Sequence, residues 1–256
     1  MFINIENVKI YYEIIGNDNN VNNVLLIHGW AGDTNSMNLL AKKLSLNFKV
    51  FSLDLPGFGM SESLNEFDSY KLAEIVEKFI LKLNLKFFLI IGHSLGAKVS
   101  SILASKGYGE KLILIGSPGI KYKRDFIVRF KTFIIKIVKF TLTKILFIKE
   151  NSKIFKKLRS KVGSLDYKNA SDKMKISFKN IISEELSEVF SKIETKTLVV
   201  QGTEDKEVPL EIAYKIKELI KDSELLIIKG ANHFCYNHPI FLEKLNNFLD
   251  LKNQKE

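Results

Sequence analysis

The segment that most constrains the fold is an apolar run that leads into the pentapeptide 92–96, Gly-His-Ser-Leu-Gly. Residues 87–91, Phe-Phe-Leu-Ile-Ile, are typical of a strand buried on both faces of a sheet. Residues 97–106 favour a helix. A residue between such a strand and such a helix lies on a sharp turn, where flanking glycines avoid a clash of side chain with backbone. The segment therefore predicts a strand, a tight turn that exposes Ser94, and a helix.

A serine at this turn has two interpretations. Its side chain caps the helix, or its hydroxyl is a nucleophile beside the free N–H groups of the first helical turn. The second interpretation requires an acid and a histidine further along the chain. Both are present: Asp205 lies in the loop after a predicted strand at 197–200, and His233 lies in the loop after a predicted strand at 225–228. The order Ser94, Asp205, His233 is the one found in enzymes with a serine on such a turn.

Each of the three residues would have a distinct chemical task. His233 can accept the proton of the Ser94 hydroxyl near neutral pH, and Asp205 would hold the imidazole in the correct tautomer. A single aspartate in a loop is usually a turn residue, and a single surface histidine is usually only solvated. The prediction of a catalytic triad therefore depends on the three residues occurring together at successive strand ends.

The same chemistry needs backbone N–H groups to stabilise an oxyanion. In enzymes of this kind one N–H comes from the residue after the nucleophile, here Leu95, and another from the loop after an early strand. The strand predicted at 24–27 leads into His28-Gly29-Trp30, and Trp30 is the predicted second donor. Its ring is also expected to line the pocket. His28 is expected to have a structural role in the loop.

The chain resembles the α/β-hydrolase superfamily, particularly its small esterase-like members with a helical cap. The resemblance is carried by the segments 28–30, 54–61, 92–96, 202–209 and 230–233. It implies Ser94, Asp205 and His233 as the triad, a structural turn without chemistry at 54–61, and no cofactor. Members with an aspartate nucleophile, the haloalkane dehalogenases and epoxide hydrolases, are disfavoured because the turn carries Ser94. Members that cleave carbon–carbon bonds or make peracids share the serine triad and stay open.

The order of predicted elements favours one α/β domain with an insertion. Predicted strands alternate with helices in residues 1–119 and 196–256, which indicates a mostly parallel sheet with helices on both faces. Ligands of such sheets bind beyond the carboxyl ends of the strands, where all three candidate triad residues lie. Residues 120–195 interrupt the alternation, lack clear strands and contain no proline. They are predicted to form a helical cap over the site.

The predicted cap is strongly basic. Residues 121–196 contain 20 Lys and Arg against 8 Asp and Glu, a net charge of +12, whereas the whole chain carries +10. Residues 126–148 are predicted to be a lid helix with its apolar face over the pocket, and weak contact with anionic membranes is the alternative. A transmembrane helix is rejected because lysines interrupt the run. Binding of nucleic acid is not inferred, since nearly all the basic residues are lysines and Ile, Asn and Phe are also plentiful.

The composition is that of an ordinary globular protein. A length of 256 residues with 46% hydrophobic residues suits a single catalytic domain. Cys235 is the only cysteine, so no internal disulfide forms and a reducing compartment is indicated. We expect Cys235 to be a buried small residue, although its position near His233 also admits a reactive thiol.

The N-terminal residues are not those of a signal peptide, and a cytoplasmic location is expected. No metal-ligand cluster, phosphate-binding loop or dinucleotide fingerprint is present.

These observations predict a serine hydrolase that cleaves an ester or related acyl compound with an apolar portion, through an acyl-enzyme on Ser94. Two alternatives stay open: a carbon–carbon bond hydrolase or lyase with the same triad, and a non-catalytic binding protein on the same fold. The natural substrate, the pathway and the oligomeric state are not specified by the sequence.

Overall fold

An eight-stranded sheet forms the centre of the protein in the computed structural model, which describes residues 1–17, 22–121 and 172–251. In chain order the strands are β1 (Phe2–Ile5), β2 (Val8–Ile15), β3 (Asn23–Ile27), β4 (Lys49–Leu53), β5 (Leu89–His93), β6 (Lys111–Ile115), β7 (Lys196–Gly202) and β8 (Ser223–Ile228). Their order in space is β1-β2-β4-β3-β5-β6-β7-β8. β2 pairs antiparallel with β1 and β4, and the other neighbours pair in parallel. The predicted mostly parallel sheet is confirmed.

Helices cover both faces of this sheet. Those in the described residues are α1 (Asn38–Leu44), α2 (Ser69–Lys82), α3 (Leu95–Ser105), α4 (Asp172–Ser183), α5 (Ser187–Ser191), α6 (Leu210–Leu219) and α7 (Pro239–Phe248). Helices α2, α3, α5 and α6 pack on one face, and α1 and α7 pack on the other. The central strands are mostly apolar because both faces of the sheet are covered: in β3, Leu25 and Ile27 face one layer, and Val24 and Leu26 face the other.

Some element boundaries differ from the sequence prediction. β5 extends through His93, which pairs with Ile115 of β6, so the strand runs up to the serine and α3 begins directly after it. Helix α1 is preceded by a 3₁₀ turn, Thr34–Met37. The Asp33 carboxylate accepts a hydrogen bond from the backbone N–H of Ser36 and fixes this tighter turn.

The predicted cap lies only partly within the described residues. α4 and α5 belong to it, whereas the lid helix or membrane-contacting helix expected at 126–148 lies outside them. The division into a core of residues 1–119 and 196–256 and a cap of residues 120–195 therefore stays a prediction, as does contact with anionic membranes. Across residues 1–17, 22–121 and 172–251, no helix is long and apolar enough to cross a bilayer.

The turn between β5 and α3 is packed against the end of β3 without spare space. A Cβ atom at Gly96 would lie 2.0 Å from the carbonyl oxygen of Ile27 and 2.6 Å from that of His28. A Cβ atom at Gly92 would lie 2.3 Å from the Gly96 carbonyl oxygen. The two glycines thus allow the first turn of α3 to touch the strand end, and this contact fixes the position of Ser94.

This packing predicts that Gly96→Ala destabilises the protein far more than Gly230→Ala. Alanine favours a helix by about 1 kcal/mol over glycine, but at position 96 its methyl group meets backbone that cannot rotate away, and we expect a net loss of about 3 kcal/mol or more. Gly230 has φ +74° and open space around its Cα, so only the left-handed strain of about 1–2 kcal/mol is expected. Urea unfolding of both variants measures the difference, and equal midpoints would contradict it.

Candidate active site

Ser94 lies at the tip of the turn in a conformation that residues other than glycine rarely adopt. Its backbone has φ 53° and ψ −112°. Contacts before and after Ser94 maintain this strained backbone conformation. The Ser94 N–H donates to the Ile115 carbonyl oxygen at 2.9 Å, and α3 begins at the next residue. Leu95 is the first residue of α3, so its N–H has no acceptor within the helix. The side chain of Ser94 is thereby placed at the positive end of a helix.

His233 and Asp205 form a hydrogen-bonded pair beyond the ends of β7 and β8. Nδ1 of His233 lies 2.7 Å from Oδ2 of Asp205, and the two side chains are 10% and 1% exposed. A carboxylate can only accept, so Nδ1–H is the donor and Nε2 of the neutral ring is free of a proton. The pair therefore presents a base whose tautomer is set by the buried carboxylate.

The Asp205 carboxylate is held by further donors. Oδ2 also accepts from Nε2 of Gln201 at 2.8 Å, and Oδ1 accepts from the N–H groups of Glu207 and Val208 at 2.8 and 2.9 Å. Burial pushes the pKa of Asp205 up, but the hydrogen bond and positive charge of His233 and the two N–H groups together hold that pKa below its ordinary value. Asp205 is therefore charged across the neutral range. Gln201 was not predicted, because nothing in its local sequence marks it.

Ser94 and His233 line the same cavity of about 550 Å³. Most of the wall is apolar, and the aromatic and aliphatic side chains that contribute are Trp30, Met37, Leu95, Phe178, Ile181, Ile182, Val208, Phe234 and Tyr236. The cavity thus brings together Ser94, His233, Trp30 and Leu95, with Asp205 behind the imidazole. Within the described ranges, no three His, Cys, Asp or Glu side chains are grouped as metal ligands.

The loop after β3 lies against the serine. A Cβ atom at Gly29 would lie 3.2 Å from the Ser94 Cβ, so the backbone of this loop closely approaches Ser94. The Trp30 ring makes edge contacts with Phe58 and Phe178 at centroid distances of 5.0 and 4.9 Å. Trp30 thus lines the cavity and its ring forms part of the apolar wall, whereas its role as an oxyanion donor stays a prediction.

His28 is engaged in backbone hydrogen bonds away from the base position. Its Nδ1–H donates to the Gly29 carbonyl oxygen at 2.7 Å, and its Nε2 accepts from the Leu55 N–H at 2.9 Å. Burial lowers the pKa of His28, which keeps the ring neutral. Both ring nitrogens are occupied, as expected of a structural residue.

The segment at 54–61 is tied together by the Asp54 carboxylate. It accepts from the N–H of Thr34 at 2.7 Å and from the N–H of Met60 at 2.8 Å. Gly59 allows this approach, because a Cβ atom there would lie 2.0 Å from Oδ2 of Asp54. These contacts are those of a structural turn, and they hold the loop beside the cavity.

His93 links the serine to the histidine loop, a role that the sequence did not reveal. Its side chain is buried, and its Nε2–H donates to the backbone carbonyl oxygen of His233 at 3.0 Å. The two imidazole centroids are 4.7 Å apart. Burial, and secondarily the charge of a protonated His233, lowers the pKa of His93 to about 3. The residue therefore remains neutral and keeps the strand end and the His233 loop in contact.

Two comparisons of sequence identify the family. The model of the α/β-hydrolase fold family matches residues 22–133. The pimeloyl-[acyl-carrier protein] methyl ester esterase of Wigglesworthia glossinidia brevipalpis is 30% identical over 92% of this chain and 95% of its own length. The chain belongs to the α/β-hydrolase superfamily.

Other relatives support the assignment of this chain to the α/β-hydrolase superfamily. The AB hydrolase superfamily protein YisY of Bacillus subtilis is 26% identical over 95% of each chain. Among solved structures, a serine hydrolase involved in carbazole degradation is 25% identical, with a TM-score of 0.72 and 98% coverage of both chains. The protein is thus a hydrolase of the α/β fold with relatives named as esterases, lipases and hydrolases.

The buried His93 predicts a specific pH dependence of stability for this α/β-hydrolase. Its folded pKa of about 3 lies below the unfolded value of about 6.5, so between these values the unfolded chain binds a proton that the folded chain does not. Stability therefore falls as the pH drops through this window. His93→Gln keeps an N–H donor for His233 and takes up no proton. We expect its unfolding free energy to fall less steeply, by about 1.4 kcal/mol per pH unit.

Urea unfolding of the wild type and His93→Gln at several pH values between 4 and 7 measures these slopes. Parallel curves for the two proteins would show that His93 takes up its proton normally in the folded state, contrary to this expectation.

Cys235 is predicted to be unreactive in the folded protein. The residue is 2% exposed, and burial raises the pKa of its thiol to about 12, so almost no thiolate is present at neutral pH. We expect a disulfide reagent such as Ellman's to label it at least 100-fold more slowly in buffer than in denaturing urea. Rapid labelling of the folded protein would instead support the reactive thiol.

Proposed function

We propose that the protein is a serine hydrolase that cleaves a carboxylic ester or a related acyl substrate through an acyl-enzyme on Ser94. The observation that carries the proposal is that the strained Ser94 and the Asp205-oriented His233 line one cavity. A backbone φ of 53° costs energy and has no structural benefit for a serine at the end of a strand. The same conformation exposes the hydroxyl group, which a nucleophile requires. The relatives named as esterases support the same reaction class.

The reaction follows from the tasks of these side chains. His233 Nε2 removes the hydroxyl proton while Ser94 Oγ attacks the carbonyl carbon, and the N–H groups of Leu95 and Trp30 stabilise the resulting oxyanion. Collapse of the tetrahedral species breaks the bond to the alcohol, which takes the proton from His233. Water, deprotonated by the same imidazole, then attacks the acyl-enzyme; the acyl–oxygen bond breaks, the imidazolium returns the proton to Ser94 Oγ, and the acid is released. Asp205 remains ionised and stabilises the imidazolium in both halves.

The cavity favours substrates with an apolar portion. Its wall contains Trp30, Phe178 and Ile181, and its volume of about 550 Å³ is in the range of small-molecule sites. Each methylene group buried there contributes about 0.8 kcal/mol to binding. We therefore propose an ester with a medium-length apolar acyl or alcohol portion, hydrolysed without a cofactor.

Ser94→Ala is predicted to abolish the proposed reaction without loss of the fold. Removal of the nucleophile from a triad of this kind lowers kcat by about 10⁴-fold or more. The measurements are hydrolysis of p-nitrophenyl butyrate and covalent labelling by a fluorophosphonate probe. Ser105→Ala, at the far end of α3, is the matched control and should retain both. Undiminished turnover by Ser94→Ala would remove Ser94 as the nucleophile.

The same assays separate the proposed function from its alternatives. A folded wild-type protein that resists the fluorophosphonate would favour a binding protein on a hydrolase fold. Labelling together with turnover of vinylogous diketones, but not of simple esters, would favour carbon–carbon bond hydrolysis. Either result would contradict the esterase proposal.

A further inference from the structure

A buried lysine on the helix that follows Ser94 contacts the predicted cap. Lys98 lies one turn into α3 and is 2% exposed. Its Nζ donates to the backbone carbonyl oxygen of Ile181 and lies 2.9 Å from Oε2 of Glu184, whose side chain is 9% exposed. Ile181 is in the last turn of α4, where helix carbonyl groups lack partners within the helix. The ammonium group therefore binds the carboxyl end of α4 and the residue just after it.

Helix α4 and the residue just after it are also joined to the start of α2 and to the segment that leads into it. Oε1 of Glu184 accepts from the N–H of Ser69 at 2.7 Å, and Oγ of the buried Ser177 accepts from the N–H of Phe67 at 3.0 Å. α4 is thus held to two helices of the core by polar contacts that are largely shielded from water. In such surroundings a misplaced partner leaves a buried polar group unsatisfied, so the contacts favour one position of α4.

The position of α4 decides the shape of the cavity. Phe178, Ile181 and Ile182, all on α4, line the same cavity as Ser94. Phe178 packs on the Trp30 ring at a centroid distance of 4.9 Å. Lys98 therefore binds the backbone of Ile181, a residue whose own side chain lines the cavity.

A role in stability alone does not explain this pair well. Burial lowers the pKa of Lys98, with Glu184 opposing the shift, because the interior disfavours the charged ammonium group. Replacing a buried ion pair by uncharged side chains of similar size is often neutral or stabilising, whereas the pair can specify one arrangement among several. We therefore infer that the ion pair of Lys98 and Glu184 serves to select one position of α4 rather than to stabilise the fold.

We propose that Lys98 is a positioning residue for substrate selection: through Ile181 and Glu184 it fixes the apolar wall formed by α4 and thereby sets the preferred chain length of the ester. The proposal rests on the proposed esterase function. Lys98 does not touch the reacting atoms; it acts through the position of Phe178, Ile181 and Ile182.

The test removes both charges while preserving the hydrogen bond to Ser69. In Lys98→Met/Glu184→Gln, methionine retains most of the lysine volume and the glutamine oxygen still accepts from the Ser69 N–H. The matched control is Lys106→Met/Glu77→Gln, which removes a partly exposed ion pair between α3 and α2, outside the cavity. Urea unfolding establishes that both variants are folded.

The activity readout is hydrolysis of p-nitrophenyl esters from acetate to decanoate. In Lys98→Met/Glu184→Gln we expect the ratio of kcat/KM for the preferred chain to that for acetate to fall at least tenfold, mainly through a higher KM. The control variant should keep the wild-type ratio. An unchanged ratio, or an equal loss on every ester, would overturn the proposal, because a general structural defect does not discriminate between chain lengths.

A second readout does not depend on turnover. Trp30 is the only tryptophan of the chain and packs on α4 through Phe178, so its fluorescence reports the position of that helix. We expect a shifted emission maximum and stronger acrylamide quenching in Lys98→Met/Glu184→Gln and neither change in the control. Identical fluorescence in all three proteins would overturn the role of Lys98, whereas a wild type without esterase activity would contradict the proposed function instead.

Discussion

The contact between the first turn of α3 and the carboxyl end of β3 is the constraint on which the site depends. Backbone meets backbone there, and no side chain fits at Gly96. Because α3 follows the serine directly, this contact also fixes Ser94 beside the loop that carries Trp30. Ser94, the N-terminus of α3 and the neighbouring loop are therefore placed by one backbone contact, and their relative position does not depend on flexible side chains.

Two buried groups near this turn are held in opposite states: the Asp205 carboxylate is charged, and the His93 ring is neutral. Asp205 is ionised because its carboxylate accepts hydrogen bonds from His233, from Gln201 and from two backbone N–H groups. His93 is neutral because burial disfavours its cation, and it donates to the backbone of His233. His233 is thus held at its ring by the Asp205 carboxylate and at its backbone carbonyl group by the neutral His93 ring. A base held in this way needs little reorganisation when it accepts a proton.

The ion pair of Lys98 and Glu184 joins α3 to the end of α4, which belongs to the predicted cap. Both charges are withdrawn from water and are satisfied by each other, by the Ile181 carbonyl group and by the Ser69 N–H. Helix α3, which begins at the residue after Ser94, is thus joined to α4, which lines the cavity. Under the proposed function, this link would couple the position of the apolar wall to that of Ser94.

The sequence by itself determined the parallel sheet and the order of its elements, because apolar runs of strand length alternate with helical periods and each buried strand is apolar on both faces. It also placed Ser94, Asp205 and His233 after three strands, whose carboxyl ends must share one edge of a parallel sheet. Only the tertiary structure decided which side chains support them. His93 and Lys98 have no local signature, since their partners His233 and Glu184 lie 140 and 86 residues away along the chain. Gln201 lies only four residues before Asp205, but no pattern in the sequence shows that the two side chains meet. The role of a buried charged group or imidazole ring depends on the groups that contact it, and those contacts exist only in the folded chain.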